Sequence, residues 1–427
     1  MLFENIAVLL PEGIRKHCWV ATEGAKIASI AEGPPEGDFG QAYDGRGKLL
    51  MPGFVNAHSH APMTLLRGYG ENMALADWLE KRIFPFEARM TDDDIYWGSL
   101  LGIAEMLRFG ITSTTDMYSN LPAIARAFDE SGAKINMSYG IANFGGGPYA
   151  ELPGRKEAHE AFRGFHGAAD GRLRVDFSLH AEYTSNPETV RALAEDAKAL
   201  GAGMHVHISE TKAEHDACKQ RHGKTPARYL ADLGLLDVRA TAAHCVWIED
   251  ADFDILRDKG VTVATCPKSN LKLASGVFDA ARALRKGTAF AIGTDSVASN
   301  NNLNMLEEIR VFLLAQKGFS GDPTLITPMQ AIRAATRAGA LAQGRPDAGE
   351  ITEGFRADLI VLDLSKPWMQ PEHDLLNNVA YAAMGSDILL TMCDGKVLYR
   401  DGVYATIDVE RAARKVAEAV ERVVREV

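Results

Sequence analysis

Long apolar runs are missing from this 427-residue chain. None approaches the roughly 20 residues that a membrane helix needs, which argues against a helical membrane protein. The start, Met1-Leu2-Phe3-Glu4-Asn5, has no basic segment ahead of an apolar one, so no signal peptide is expected. Cysteine is scarce: Cys18, Cys218, Cys245, Cys266 and Cys393 stand far apart and are odd in number. They form neither a disulfide framework nor a C-x-x-C metal knuckle. They read as reduced thiols in a cytoplasmic protein. An excess of positive charge is missing too. Acidic residues outnumber basic ones, 57 to 46, for a net charge of −11. A nucleic-acid polymer or an anionic membrane surface would call for a basic stripe, so neither is an expected partner.

What is present is an ordinary globular balance, 46% hydrophobic and 24% charged. The first 50 residues read as short strands and turns, such as Ile6-Ala7-Val8-Leu9-Leu10 and Lys26-Ile27-Ala28-Ser29-Ile30. From Met51 short apolar strands alternate with long helical stretches. The strands are expected near 53–58, 111–116, 135–141, 173–180, 204–208, 240–244, 261–265 and 289–294. The helices are expected over 91–108, 121–131, 157–166, 187–200, 212–233, 248–259, 303–316 and 327–341. Eight such units point to the α/β class and a (β/α)8 TIM barrel, with a doubly wound sheet as the structural alternative. After Gly349 strands return, with Asp394-Gly395 as a hairpin signal and a helical tail from Asp408 to Val427. Each terminal β piece is too small to hold a core alone. We expect residues 1–50 and 347–427 to pair as one composite β-sandwich with a C-terminal helix, beside a catalytic barrel of residues 51–346.

Chemistry gathers at the strand ends, where barrel active sites are built. His58-Ser59-His60 ends the first strand, and side chains two apart on a strand face the same way. Alone, H-x-H fits two ordinary loop histidines equally well. The fourth strand, however, ends at His180, the fifth runs into His205-Val206-His207-Ile208-Ser209-Glu210, the sixth ends at His244, and the eighth at Asp295. Imidazoles plus one carboxylate suit one divalent metal, zinc first, with Fe2+ or Mn2+ as alternatives. The candidate ligands are His58, His60, His207 and Asp295. No lysine ends the fourth strand to bridge a second metal. Such an ion lowers the pKa of its water to about 7 and so supplies a nucleophile at neutral pH. Glu210 is the candidate general acid/base, or else a helix cap. Asp295 can take the water proton. His244 can orient the nucleophile, or be a buried structural histidine, and His205 reads as a packing residue.

These segments resemble the amidohydrolase superfamily, and more narrowly its branch of 5′-methylthioadenosine/S-adenosylhomocysteine deaminases with the related triazine and guanine aminohydrolases. The matching stretches include Pro52-Gly53-Phe54-Val55-Asn56-Ala57-His58-Ser59-His60, His205 to Thr211, Cys266-Pro267-Lys268-Ser269-Asn270 and Gly293-Thr294-Asp295-Ser296. The resemblance implies hydrolytic deamination of an adenosine-type nucleoside, with water adding to C6 of adenine and Glu210 protonating the ring. It further implies that Trp78, Glu87, Arg155 and His180 contact substrate: Trp78 the base or ribose, Glu87 the ribose hydroxyls, Arg155 a distal carboxylate. A packing Trp, a surface Glu and a solvated Arg are the plain alternatives. By resemblance alone a homo-oligomer is expected.

Two departures stand out. Tyr139 stands where a second carboxylate-binding arginine is often found, and Glu182 where proline is usual. One cation fewer favours adenosine or methylthioadenosine over S-adenosylhomocysteine. The alternatives are an aminohydrolase of guanine, cytosine, pterin or triazine, or an inactive binding protein on the same barrel. The H-x-E…P-C-x-x-C class of zinc deaminases is excluded, since Cys266-Pro267 has the wrong order and no partner cysteine.

Overall fold

Eight short apolar runs form eight parallel strands, paired in chain order around a barrel. They are Phe54–Ser59, Ile111–Tyr118, Lys134–Ile141, Phe177–Ala181, Met204–Ile208, Ala240–His244, Thr262–Thr265 and Ala289–Ile292. The computed structural model describes residues 1–426, apart from the side chain of Ala76. The seam between the last strand and the first is closed by hydrogen bonds. Asp295 N–H donates to the His58 carbonyl at 2.9 Å, and Thr294 N–H to Asn56 Oδ1 at 2.9 Å. Gly293 makes this approach possible: a Cβ there would stand 2.7 Å from the His58 nitrogen.

Most expected elements appear, and the differences have local causes. The expected strand 173–180 splits into Leu173–Val175 and Phe177–Ala181. At the break, the Asp176 carboxylate accepts from Gly203 N, Asn136 Nδ2 and Arg239 Nη2 at 3.0, 2.8 and 2.5 Å. The expected helix 212–233 is two helices, Lys212–His222 and Pro226–Asp232. Gly223 ends the first at φ +66°, and Thr225 caps the second ahead of Pro226. Helix 327–341 likewise divides into Pro328–Ala334 and Arg337–Ala342. Between them the Ala335 carbonyl turns to accept Val55 N–H of the first barrel strand at 2.8 Å. Thr91 and Asp94 form a capping box on Asp92–Arg108, and Asn186 caps Pro187–Leu200.

A second, nine-stranded sheet takes strands from both chain ends. Lys48–Pro52 and Leu359–Asp363 pair antiparallel and join the two ends. The two-residue period decides what each side chain meets. Leu359 and Val361 enter the sheet's own core with Phe3, Val8 and Leu50, while Ile360 and Leu362 point with Leu49 and Met51 into the barrel's core. Asp394 and Gly395 both have positive φ (47° and 73°), as a tight hairpin turn of this kind needs. The tail helix spans Val409–Glu426, and Val427 lies outside the described residues. It does not lie on the sheet. Its Val416, Ala419 and Val423 pack with Met63, Leu66, Trp78 and Phe86 on the barrel, and Arg422 pairs with Asp94. No helix among the described residues is long and apolar enough to cross a membrane.

Candidate active site

The strand ends converge. Ring centroids lie 4.8 Å apart for His58 and His60, 5.0 Å for His58 and His207, and 5.5 Å for His207 and His244. Asp295 Oδ1 stands 3.4 Å from His60 Nε2 and 3.6 Å from His58 Nε2. Two overlapping donor groups result, His58–His60–Asp295 and His58–His207–His244, each with its donor atoms within 4.8 Å of one another. His244 therefore belongs to one of the two donor groups as well as standing where it could orient a nucleophile.

The donor chemistry fits a divalent ion. In each ring Nδ1 is already engaged: His60 with the Met117 carbonyl at 2.5 Å, His207 with the His180 carbonyl at 2.6 Å, His244 with Asn270 Oδ1 at 2.9 Å, and His58 with His205 Nε2 at 2.8 Å. Such partners hold each imidazole in the tautomer that turns a bare Nε2 inward. His58 Nε2 is buried and has no hydrogen-bond partner. Ser269 Oγ and Ser299 Oγ donate to Asp295 Oδ2 at 2.5 and 3.0 Å, which leaves Oδ1 for the centre. The electrostatics also favour a cation. Burial works against a charge on His60, yet Asp295 and Asp116 outweigh it and push its pKa up to about 9. Burial takes His58 down to about 4 and His207 well below its usual range, so both keep free lone pairs.

The backbone at these ends is unusual. Ser209, His244, Cys245 and Asp295 all sit at positive φ (48°, 69°, 51° and 61°). Left-handed backbone at non-glycine residues is uncommon and persists where the surroundings enforce it, often at functional sites.

A cavity of about 250 Å³ opens over the donors. Glu210 enters it, with Oε2 at 3.8 Å from His244 Nε2. Burial raises the pKa of its carboxyl. Its helix-capping alternative is taken by neighbours. Thr211 caps Lys212–His222, and the Glu214 carboxylate accepts from Ser209 N and Glu210 N at 2.9 and 2.8 Å. Also lining the cavity, Glu87 is half-buried and accepts the Tyr118 hydroxyl at 2.6 Å. Trp78 lines the wall beside it. His180 faces the cavity with a buried Nδ1 that has no partner, and burial lowers its pKa to about 4.

Residues 49–398 match the family model described as Amidohydrolase family. The chain belongs to that family. A 5-methylthioadenosine/S-adenosylhomocysteine deaminase of Pelotomaculum thermopropionicum is 40% identical over 420 residues, 97% of this chain and 95% of that one. A 5′-deoxyadenosine deaminase of Methanosarcina acetivorans is 39% identical over 427 residues, covering 99% and 98%. A zinc-bound crystal structure of an adenosine deaminase from Xanthomonas campestris superposes with a TM-score of 0.93 at 31% identity, covering 100% of this chain and 98% of that one.

Not every expected residue of this amidohydrolase reaches the cavity. Arg155 does not line it. On helix Pro153–Phe165 its Nε donates to Asp196 Oδ2 at 3.1 Å, and its guanidinium lies over the Tyr149 ring. Tyr139 does line it, lying against the start of that helix, where a Cβ on Gly154 would meet its ring at 2.3 Å. Glu182 is buried and bonds Arg221 and His222 at 2.5 and 2.8 Å, tying the fourth strand end to helix Lys212–His222. Sequence reasoning passed over Tyr118, Asn270, Ser269 and Phe144. Ser269 and Asn270 stood within a quoted motif and carried that signal. Phe144 had none.

Proposed function

We propose that this protein is a metal-dependent hydrolytic deaminase that converts an adenosine-type nucleoside to its inosine analogue and ammonia. The observation that carries this reading is the pairing across one cavity. A half-buried acid, Glu210, stands beside the histidine and aspartate donors, in one cavity with a Glu87–Tyr118 pair suited to hydroxyl groups. The names of the two deaminase relatives support it. Zinc is the metal we assign, with His58, His60, His207 and Asp295 as ligands and His244 next to them. When bound, such an ion supplies an activated water at neutral pH.

The chain's own residues divide the remaining work. Glu210 in its protonated form gives a proton to the ring nitrogen, which makes C6 electrophilic. His244 orients the attacking oxygen. Asp295 takes one proton from that oxygen and passes it to the departing amine, and the oxygen's second proton returns to Glu210 as the ring carbonyl forms and ammonia leaves. Trp78 and Phe84 line the wall and exclude water, and Glu87 holds ribose hydroxyls. His180, neutral, offers a hydrogen bond to the nucleoside. We assign catalysis to residues 51–346, with 1–50 and 347–427 as a supporting unit. Five buried, unpaired thiols support a reducing, cytoplasmic setting. A homo-oligomer belongs to the same reading, and light scattering at micromolar concentration tests it. The test of function is ammonia release from a panel of purines, pyrimidines and nucleosides. Release from adenosine-type nucleosides is expected, and release from free bases alone would replace the reading with that of a base aminohydrolase.

A further inference from the structure

The cavity has two chemically different walls. The inner one carries the donors and Glu210. The outer one is apolar, built around Leu79, Ile83, Phe84, Tyr139 and Phe144. No lysine or arginine stands among its described residues. The nearest candidate, Arg155, is held by Asp196 and Tyr149. Lys156 is largely exposed, its nearest acidic partner being Glu160.

Phe144 is the odd member. It is 74% exposed, a large aromatic ring standing at the mouth of the cavity. Gly145, Gly146 and Gly147 follow it, each with nothing near its missing Cβ, and Gly146 at φ +66°. Phe84, also on the wall, is 40% exposed. Exposed aromatics grouped at a pocket rim mark a surface awaiting an apolar partner.

We propose that this outer wall selects nucleosides whose 5′ carbon bears a compact, uncharged, apolar group, and that Phe144 is a specificity-determining residue. The proposal rests on the nucleoside reading above. With the adenine at Glu210 and the ribose at Glu87, the 5′ carbon is the part left at the mouth. A methyl or methylthio group there covers the rings of Phe84 and Phe144 and gains from leaving water. An amino-acid group brings a carboxylate and an ammonium against a wall that offers neither a partner, and desolvated charge without a partner is costly. The cavity's volume of about 250 Å³ also lies just below the about 300–1,000 Å³ of small-molecule sites.

The test compares kcat/KM by ammonia release for adenosine, 5′-deoxyadenosine, 5′-methylthioadenosine and S-adenosylhomocysteine. It uses the metal-loaded wild type, Phe144→Ala and Phe144→Arg. In the wild type, methylthioadenosine is expected to exceed S-adenosylhomocysteine by about tenfold or more. Phe144→Ala should lower the methylthioadenosine value about tenfold more than the adenosine value. Phe144→Arg should narrow the gap between methylthioadenosine and S-adenosylhomocysteine. Phe144 is exposed, so both variants should fold, and a thermal melt checks that they do. Equal turnover of S-adenosylhomocysteine and methylthioadenosine by the wild type would overturn the proposal. So would an equal loss on all four substrates in Phe144→Ala. Either result leaves the nucleoside reading standing, whereas no turnover of any of the four overturns both.

Discussion

Both ends of the barrel bury charge, but they arrange it in opposite ways. At the lower end, Lys134 begins the third strand and is 2% exposed. Its ammonium donates to Asp358 Oδ1 at 2.7 Å and Oδ2 at 2.5 Å, and to Asp394 Oδ1 at 2.7 Å. All three of its protons are placed, and the bonds run from the barrel to the terminal sheet. At the upper end, His58 Nε2 and His180 Nδ1 are buried with no partner, and the backbone around them is left-handed at four residues. A buried group with its bonds complete holds a fold together. A buried group with a lone pair unmatched is kept ready for something else. The contrast separates structural from chemical polarity within one barrel.

Four results would sharpen or break that contrast. The largest effect belongs to the upper end. Glu210→Gln should keep its metal and its melting temperature while turnover falls by about 10²–10⁴-fold. Metal analysis, thermal melting and ammonia release together check this, and an active variant would remove Glu210 from the chemistry.

The lower end should respond in the opposite sense. Lys134→Met leaves Asp358 buried without its bonded cation and Asp394 with Arg356 alone at 3.3 Å, and breaking such a cluster from one side costs about 3–5 kcal/mol. The melting temperature should fall sharply, while the protein that remains folded keeps its kcat. A variant that melts normally and loses activity would reverse the assignment of the two ends.

The third result is a pH dependence. Burial raises the pKa of Asp358, but Lys134 outweighs burial and holds the carboxyl below its usual range. The unfolded chain then binds this proton more readily than the folded one. The resulting stability is present above the unfolded pKa of about 3.9 and is lost as pH falls through the lower folded value. Asp358→Asn should therefore melt well below the wild type above about pH 5, with the gap closing toward pH 3. A gap independent of pH would argue against this source of stability.

The smallest effect lies between the two ends. Val416 on the tail helix shares one apolar cluster with Trp78 of the cavity wall. Val416→Ala should raise KM for a nucleoside a few-fold with kcat nearly unchanged, since it loosens a wall without touching the reacting groups. A change in kcat alone would place the helix in a different role.

How much of this was legible in the sequence follows from the length scale of each signal. The barrel strands were legible because each is a short apolar run bounded by turn residues. The donors were legible because a two-residue strand period puts His58 and His60 on one side. The terminal sheet showed itself through Asp394-Gly395 and the continuous apolar run of 359–362. Trp78 and Glu87 lie on helical turns of only four or five residues, Leu75–Trp78, Leu79–Ile83 and Phe84–Glu87, too short to show a period. Arg155 was expected at the substrate, but which way a helix side chain turns depends on its tertiary partner, here Asp196. His244 could be placed at a strand end, yet spacing along the chain does not say how near it comes to His58.

The central claim is that the unmatched donors at the upper end make a metal centre for nucleoside deamination. The most direct test is ammonia release from methylthioadenosine by the purified protein before metal removal, after removal by a chelator, and after zinc is returned. The account predicts that release stops on removal and returns with zinc. Undiminished release by the metal-free protein, or no release by the zinc-loaded one, would contradict it.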